Sequence, residues 1–222
     1  MKVWKRTLPA WLLILVMLLT ACGTPSQPDR PESTEGWRKA YEETGAYLQA
    51  QAAPTVGSIG GEWAVIGLSR AGLLSDEAAQ NYKIAAEDYV KQAGSVRLHH
   101  AKSTENSRTI RGLTAAGYNA ANVAGVDLTA GLTDMAYLRA QGTNGPIWAL
   151  IALDCHGYDI PQCADGEEQV TREGLVAEIL SYQCSDGGWA LMGDESDVDM
   201  TAMALTALAP YQEETNVKAA VE

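Results

Sequence analysis

The feature that most constrains this chain is an alternation of two kinds of helix-length segment. One kind is apolar on nearly every side: Gly61–Leu68 (GEWAVIGL), Pro146–Leu153 (PIWALIAL) and Met200–Ala209 (MTAMALTALA). A helix without a polar face must be enclosed by protein. The other kind is amphipathic. Between Asp76 and Gly94, Ala79, Tyr82, Ala86, Tyr89 and Val90 fall on one side, and Asp76, Lys83, Glu87, Asp88 and Lys91 lie elsewhere. Such a helix keeps one wet face and belongs outside.

The alternation repeats. Leu68, Leu113, Leu153 and Leu205 mark the ends of the enclosed helices, and three of them stand four residues before a glycine (Gly72, Gly117, Gly157), as a left-handed helix cap requires. Tyr47, Tyr89 and Tyr137 mark the amphipathic helices at a similar spacing. Two helices per unit of roughly 40–50 residues define a helical-hairpin array. The segments predict helices at 35–53, 61–72, 75–94, 104–117, 128–141, 145–157, 169–184 and 199–210, with Ser75 as an N-cap and Pro146 at a first helical position. No segment alternates with period two, so the domain is predicted to be all-α.

Ahead of the array, Met1–Arg6 is basic and Leu8–Leu19 is apolar apart from Pro9, a length that suits an export signal better than a spanning helix. Leu19-Thr20-Ala21-Cys22 resembles the bacterial lipobox, which implies cleavage after residue 21 and lipidation of Cys22. Gly23–Glu35 is proline-rich and polar and reads as a tether, so the expected organisation is signal 1–21, lipidated tether 22–35 and domain 36–222. The predicted address is the extracytoplasmic membrane face.

Charge and cysteine content narrow the chemistry. The formal charge of -12 becomes -15 without Lys2, Lys5 and Arg6, which argues against a nucleic-acid partner. With Cys22 used, Cys155, Cys163 and Cys184 remain; a Cys155–Cys163 bridge and free thiols both stay open. Asp154-Cys155-His156 places three ligand types consecutively on a helix, where they diverge and cannot close on one metal, and His99-His100 reads as a solvated pair. Neither a metal nor a cofactor is predicted.

Gln183-Cys-Ser-Asp-Gly-Gly-Trp189 resembles the Q-x-x-D/N-G-x-W repeat of the terpenoid cyclase and protein prenyltransferase superfamily, the prenyltransferase/squalene oxidase repeat. Ser58–Trp63 and Gln141–Trp148 are degenerate relatives of it, and the resemblance covers about residues 40–211. It implies an α/α toroid whose inner helices line a central cavity. In that reading Gln183, Asp186, Gly187, Gly188 and Trp189, with Trp63 and Trp148, are structural. Because such rings close with five to seven hairpins and about four are present, the resemblance also implies further C-terminal chain, such as the β domain of cobalamin carriers.

Asp197-Val-Asp-Met-Thr-Ala202 is similar to the D-x-D-D-T-A of squalene–hopene-type cyclases, which would make Asp199 the proton donor and Asp197 its neighbour. Met200 replaces the third acid of that motif, and a proton donor of this strength needs such neighbours. Two other readings compete: Ser196-x-x-Asp199 as a capping box, and Asp194, Glu195, Asp197 and Asp199 as a surface cation site. With no Phe and only Trp37, Trp63, Trp148 and Trp189 beyond the signal, an aromatic-lined reaction chamber is not expected. The expected function is therefore binding of an apolar or corrinoid ligand without catalysis. A terpene cyclase and a carbohydrate-active enzyme, the latter needing two of Asp134, Asp154, Asp197 and Asp199 on one rim, are the alternatives.

Overall fold

A computed structural model describes residues 34–51 and 55–222. The signal, Cys22 and nearly all of the tether lie outside the described residues. The chain divides into two compact units, Met1–Thr44 and Gly45–Glu222. The described part of the first is the opening of helix α1 (Thr34–Ala50), where Lys39 and Glu43 face each other one turn apart.

The second unit continues α1 and holds α2 (Ile59–Arg70), α3 (Asp76–Ala93), α4 (Thr104–Ala115), α5 (Met135–Arg139), α6 (Asn144–Asp154), α7 (Arg172–Ser181), α8 (Val198–Leu208) and α9 (Thr215–Val221). Helix makes up 59% and there is no strand among the described residues, so the fold is all-α. The even-numbered helices are packed neighbours in the order α2, α4, α6, α8; α3 packs on α4, α5 and α7 pack on α6, and α9 packs on α7.

Local chemistry sets the helix ends. The Ser75 hydroxyl accepts the Ala78 N–H at 3.1 Å and opens α3. Gly72, Gly117 and Gly157 all take positive φ. In each case the next residue donates its N–H back to the leucine of the preceding helix: Leu73 to Leu68 at 2.8 Å, Tyr118 to Leu113 at 2.9 Å and Tyr158 to Leu153 at 2.8 Å. Three helices of the row thus stop on one device, a 6→1 bond around a left-handed glycine.

The two helix classes separate largely as expected. In α3 the buried residues are Ala79, Tyr82, Ala86 and Val90, a single stripe. Within 146–153 every residue is buried except the half-buried Trp148 and Ile151. Full enclosure does not extend to the other apolar helices, however: Trp63 on α2 is 44% exposed, and on α8 Val198 is 85% and Leu205 40% exposed.

Three boundaries differ from the sequence expectation. Residues 128–141 form a 3-10 turn (Leu128–Leu132) and a separate five-residue α5, because Asp134 adopts an extended conformation and caps α5 by accepting the Ala136 N–H. The same break pairs with the segment before α7: Met135 N–H donates to Glu168 and Val170 N–H to Thr133, both at 2.8 Å. That pairing keeps residues 168–170 out of the helix expected from 169, and α7 begins after the Thr171 cap. Helix α6 starts at Asn144, so Pro146 occupies its third rather than first position, still within the turn whose N–H groups have no helical partner.

Candidate functional site

The C-terminal halves of α2, α4, α6 and α8 surround an open cavity of about 660 Å³. A second cavity of about 230 Å³ lies between the N-terminal halves of α2, α4 and α6, and the two share Ile66 and Arg111. Helices α2, α4 and α6 therefore run in the same direction, with one concave wall extending along them.

Arg111 is the centre of that wall. Its guanidinium carbon sits 5.0 Å from the centre of the Trp63 ring and 4.8 Å from that of Trp148, and the two rings meet edge to face at 5.6 Å. Both faces of the cation–π contact come from neighbouring helices of the row, which fixes the side chain in place. Burial, with help from the nearby charge of Arg70, pulls the Arg111 pKa down. Among the described residues neither Arg70 nor Arg111 forms a salt bridge.

The other charges around the cavities are spoken for. Arg108, one turn before Arg111, sets Nη2 2.6 Å from Glu105 and Nε 3.1 Å from Glu62, the latter off the line of a hydrogen bond. Glu62 is fully buried and accepts the N–H groups of Gly57 and Ser58 at 2.7 and 3.2 Å; burial raises its pKa, and those bonds and Arg108 oppose the rise. Asp154 accepts from Arg172 Nε at 2.7 Å and from the Tyr211 hydroxyl at 2.9 Å. The Cys155 thiol donates to the Ala152 carbonyl at 3.1 Å, and although the residue as a whole is exposed, desolvation of its sulfur pushes its pKa up, which disfavours a nucleophilic thiolate.

The repeat residues form a tight local unit. Gln183 Nε2 donates to the Gly187 carbonyl at 2.8 Å and to Ala220 on α9 at 2.7 Å. Asp186 accepts from Gly188 N–H and from the Ser196 hydroxyl, while Gly187 has φ +90°. A side chain at Gly188 would press on Ser196 and Thr201. Trp189 is buried, donates Nε1 to the Ile179 carbonyl at 2.8 Å and receives the Asp197 N–H on its own carbonyl. Gln141 performs a related tie, accepting from Thr104 N–H and the Ser103 hydroxyl at the start of α4.

The candidate acids stand apart from the wall. Asp197 is the N-cap of α8 and accepts the Met200 N–H at 2.7 Å. The capping box expected at Ser196 is thus one residue late, since Ser196 instead donates to Asp186. Asp199 is exposed in the first turn of α8, and Asp194 accepts from Ser185. Asp134 pairs with Arg97 at 3.0 Å. Of Asp134, Asp154, Asp197 and Asp199, only Asp154 lines the large cavity. The three described cysteines are unpaired, Cys155 being exposed and Cys184 buried, so no Cys155–Cys163 bridge forms. Among the described residues no group of His, Cys, Asp and Glu could hold a metal ion. His99 and His100 stack at 4.4 Å, and only His100 is exposed; His99 is half-buried.

The sequence alone does not single out Arg70, Arg111 and Glu62, and it marks Trp63 and Trp148 as structural repeat positions rather than as cavity lining. The available signal was in Thr104–Ala115: the helix ends on the same leucine-to-glycine spacing as the enclosed helices, yet it holds two arginines. No protein-family model, no curated protein and no solved structure matches the chain.

Proposed function

We propose that this chain is a lipid-anchored binding module of the α/α-toroid kind, in which α2, α4, α6 and α8 are inner helices and hold a small amphipathic ligand without transforming it. The observation that supports this most is the separation of the cyclase-like acids from the cavity: the concave wall carries Trp63, Trp148, Arg70 and Arg111 with Asp154 tied to Arg172 and Tyr211, whereas Asp197 and Asp199 are engaged in or next to the cap of α8. The smaller, mainly apolar cavity has the character of small-molecule sites, and the larger one adds polar and charged groups beside it. A corrinoid is one candidate occupant.

Incubation of the mature protein with squalene or a prenyl diphosphate should return the substrate unchanged. A cyclised product that disappears in Asp199→Asn would overturn the binding reading in favour of a cyclase. A carbohydrate-active enzyme would instead require a second carboxylate across the cavity from Asp154, about 5–10 Å away. The anchor is tested separately. Cys22→Ser should move the full chain from the membrane fraction to the soluble fraction, and retention at the wild-type level would refute lipidation as the attachment.

A further inference from the structure

The wall of the large cavity contains a charge imbalance that its own residues leave unresolved. Arg70 ends α2, Arg111 lies one turn inside the end of α4, and both line the same cavity. The one carboxylate in that lining, Asp154, already accepts from Arg172 and Tyr211. In a chain with 28 acidic residues against 16 basic ones, two arginines sharing a concave surface without an acidic partner are conspicuous. Arg111 is half-buried against the two rings, and a cation partly withdrawn from water without a counter-ion is costly unless something else supplies the charge; Arg70 adds a second, exposed cation beside it.

Helix C-termini would ordinarily oppose an anion at this place, because their carbonyls carry partial negative charge. Here those carbonyls are occupied. Leu68 accepts from both Leu73 and Leu74, Leu113 from Tyr118, and Leu153 from Tyr158 and from Arg172 Nη2. Ala115 accepts from the Ser69 hydroxyl at 2.5 Å. The rim therefore presents the guanidinium groups rather than bare carbonyl oxygens. The smaller cavity continues past Arg111 and is lined by the touching Trp63 and Trp148 rings, giving an aromatic-walled recess behind the cationic rim.

We infer that the large cavity recognises the oxyanion head of an amphipathic ligand through Arg70 and Arg111, with the ligand's flat apolar part entering the smaller adjoining cavity against Trp63 and Trp148. Two fixed positive charges favour a doubly charged head, a phosphate monoester over a monocarboxylate. Arginine suits either, since its planar fork grips two oxygens at once. The inference rests on the binding reading above and specifies the ligand class for the same cavity.

The test titrates the mature chain, at low ionic strength, with 1-naphthyl phosphate, 1-naphthoate, uncharged 1-naphthol and inorganic phosphate, following tryptophan fluorescence and thermal midpoint. The expected order is naphthyl phosphate tightest, then naphthoate, then naphthol, with at least about a tenfold gap between the first and last. Arg111→Gln and Arg70→Gln should each erase most of that gap. Arg111→Lys, which keeps charge but loses the fork, should retain part of it. Far-UV circular dichroism of each variant reports whether the helices survive. Should Arg111→Gln unfold, the exposed Arg70→Gln carries the comparison. Naphthol binding as tightly as naphthyl phosphate, or a gap unchanged in both glutamine variants, would overturn the anion inference and leave the binding reading intact. A preference for naphthoate over naphthyl phosphate would overturn the dianion assignment. No response to any of the four probes would overturn the binding reading and the inference together.

Discussion

Two arginines one turn apart on α4 have opposite circumstances, and the difference is instructive. Arg108 is matched by Glu62 and Glu105, and Glu62 in turn is held by two backbone N–H groups from the turn before α2. Arg111 has aromatic faces and no acid. Removing Glu62 should therefore hurt more than removing a surface carboxylate would, because it takes away one of the two carboxylates beside Arg108, leaving Glu105, and frees the N–H groups of Gly57 and Ser58. Glu62→Ala is expected to cost about 1–3 kcal/mol in urea unfolding at pH 7. Glu62→Gln keeps the shape and exposes the sign of the titration. The native pKa of Glu62 is raised above 4.5, so its protonated form is favoured by folding, and that stabilisation is present below pH 4.5 and lost as pH rises through the native value. Stability of the glutamine variant relative to wild type should thus improve as pH rises from 4.5; an unchanged difference between the two across that range would refute a raised pKa.

At the scale of elements, what could be read in the sequence was local and what could not was tertiary. Leu68, Leu113 and Leu153 announce their helix ends because a left-handed turn admits little besides glycine, and the three glycines stand at one fixed spacing. The stripe on α3 was legible for the same reason: Ala79, Tyr82, Ala86 and Val90 repeat at helical intervals. The break at Asp134 was hidden, since Thr133 to Met135 has ordinary helix-compatible composition and Asp134 is held extended between hydrogen bonds that tie Met135 and Thr133 to Glu168 and Val170, more than thirty residues away. The same two bonds shortened α7. Gly131 also belongs to this junction, where a side chain would collide with Asn106 and the Val96 carbonyl. The concave wall was obscured differently. Its aromatic residues Trp63 and Trp148 were picked out as repeat positions rather than lining, and the polar look of Thr104–Ala115 concealed that Arg111 points into the space between the enclosed helices. Charge at such a position reads as a wet face until the neighbours are known.

In the second unit as a whole, α6 occupies a different situation from the ends of the row. It has α4 on one side, α8 on the other, and α5 and α7 packed against it, whereas α2 and α8 each have one neighbour in the row. In an array built this way stability is the sum of each hairpin's own contribution and its nearest-neighbour interfaces, so the ends open before the middle. The exposed Val198 and Leu205 on α8 show where the packing stops. Native-state hydrogen exchange should therefore be graded, with the amides of Ile147–Leu153 on α6 exchanging at least about tenfold more slowly than those of Ala204–Leu208 on α8. The gradient should also respond to a ligand: an anion bridging Arg70 and Arg111 touches α2 and α4, and its binding should slow exchange in those helices more than in α8. Equal protection across α2, α6 and α8 would mean that the row unfolds as one cooperative block, and the nearest-neighbour account of its stability would fail.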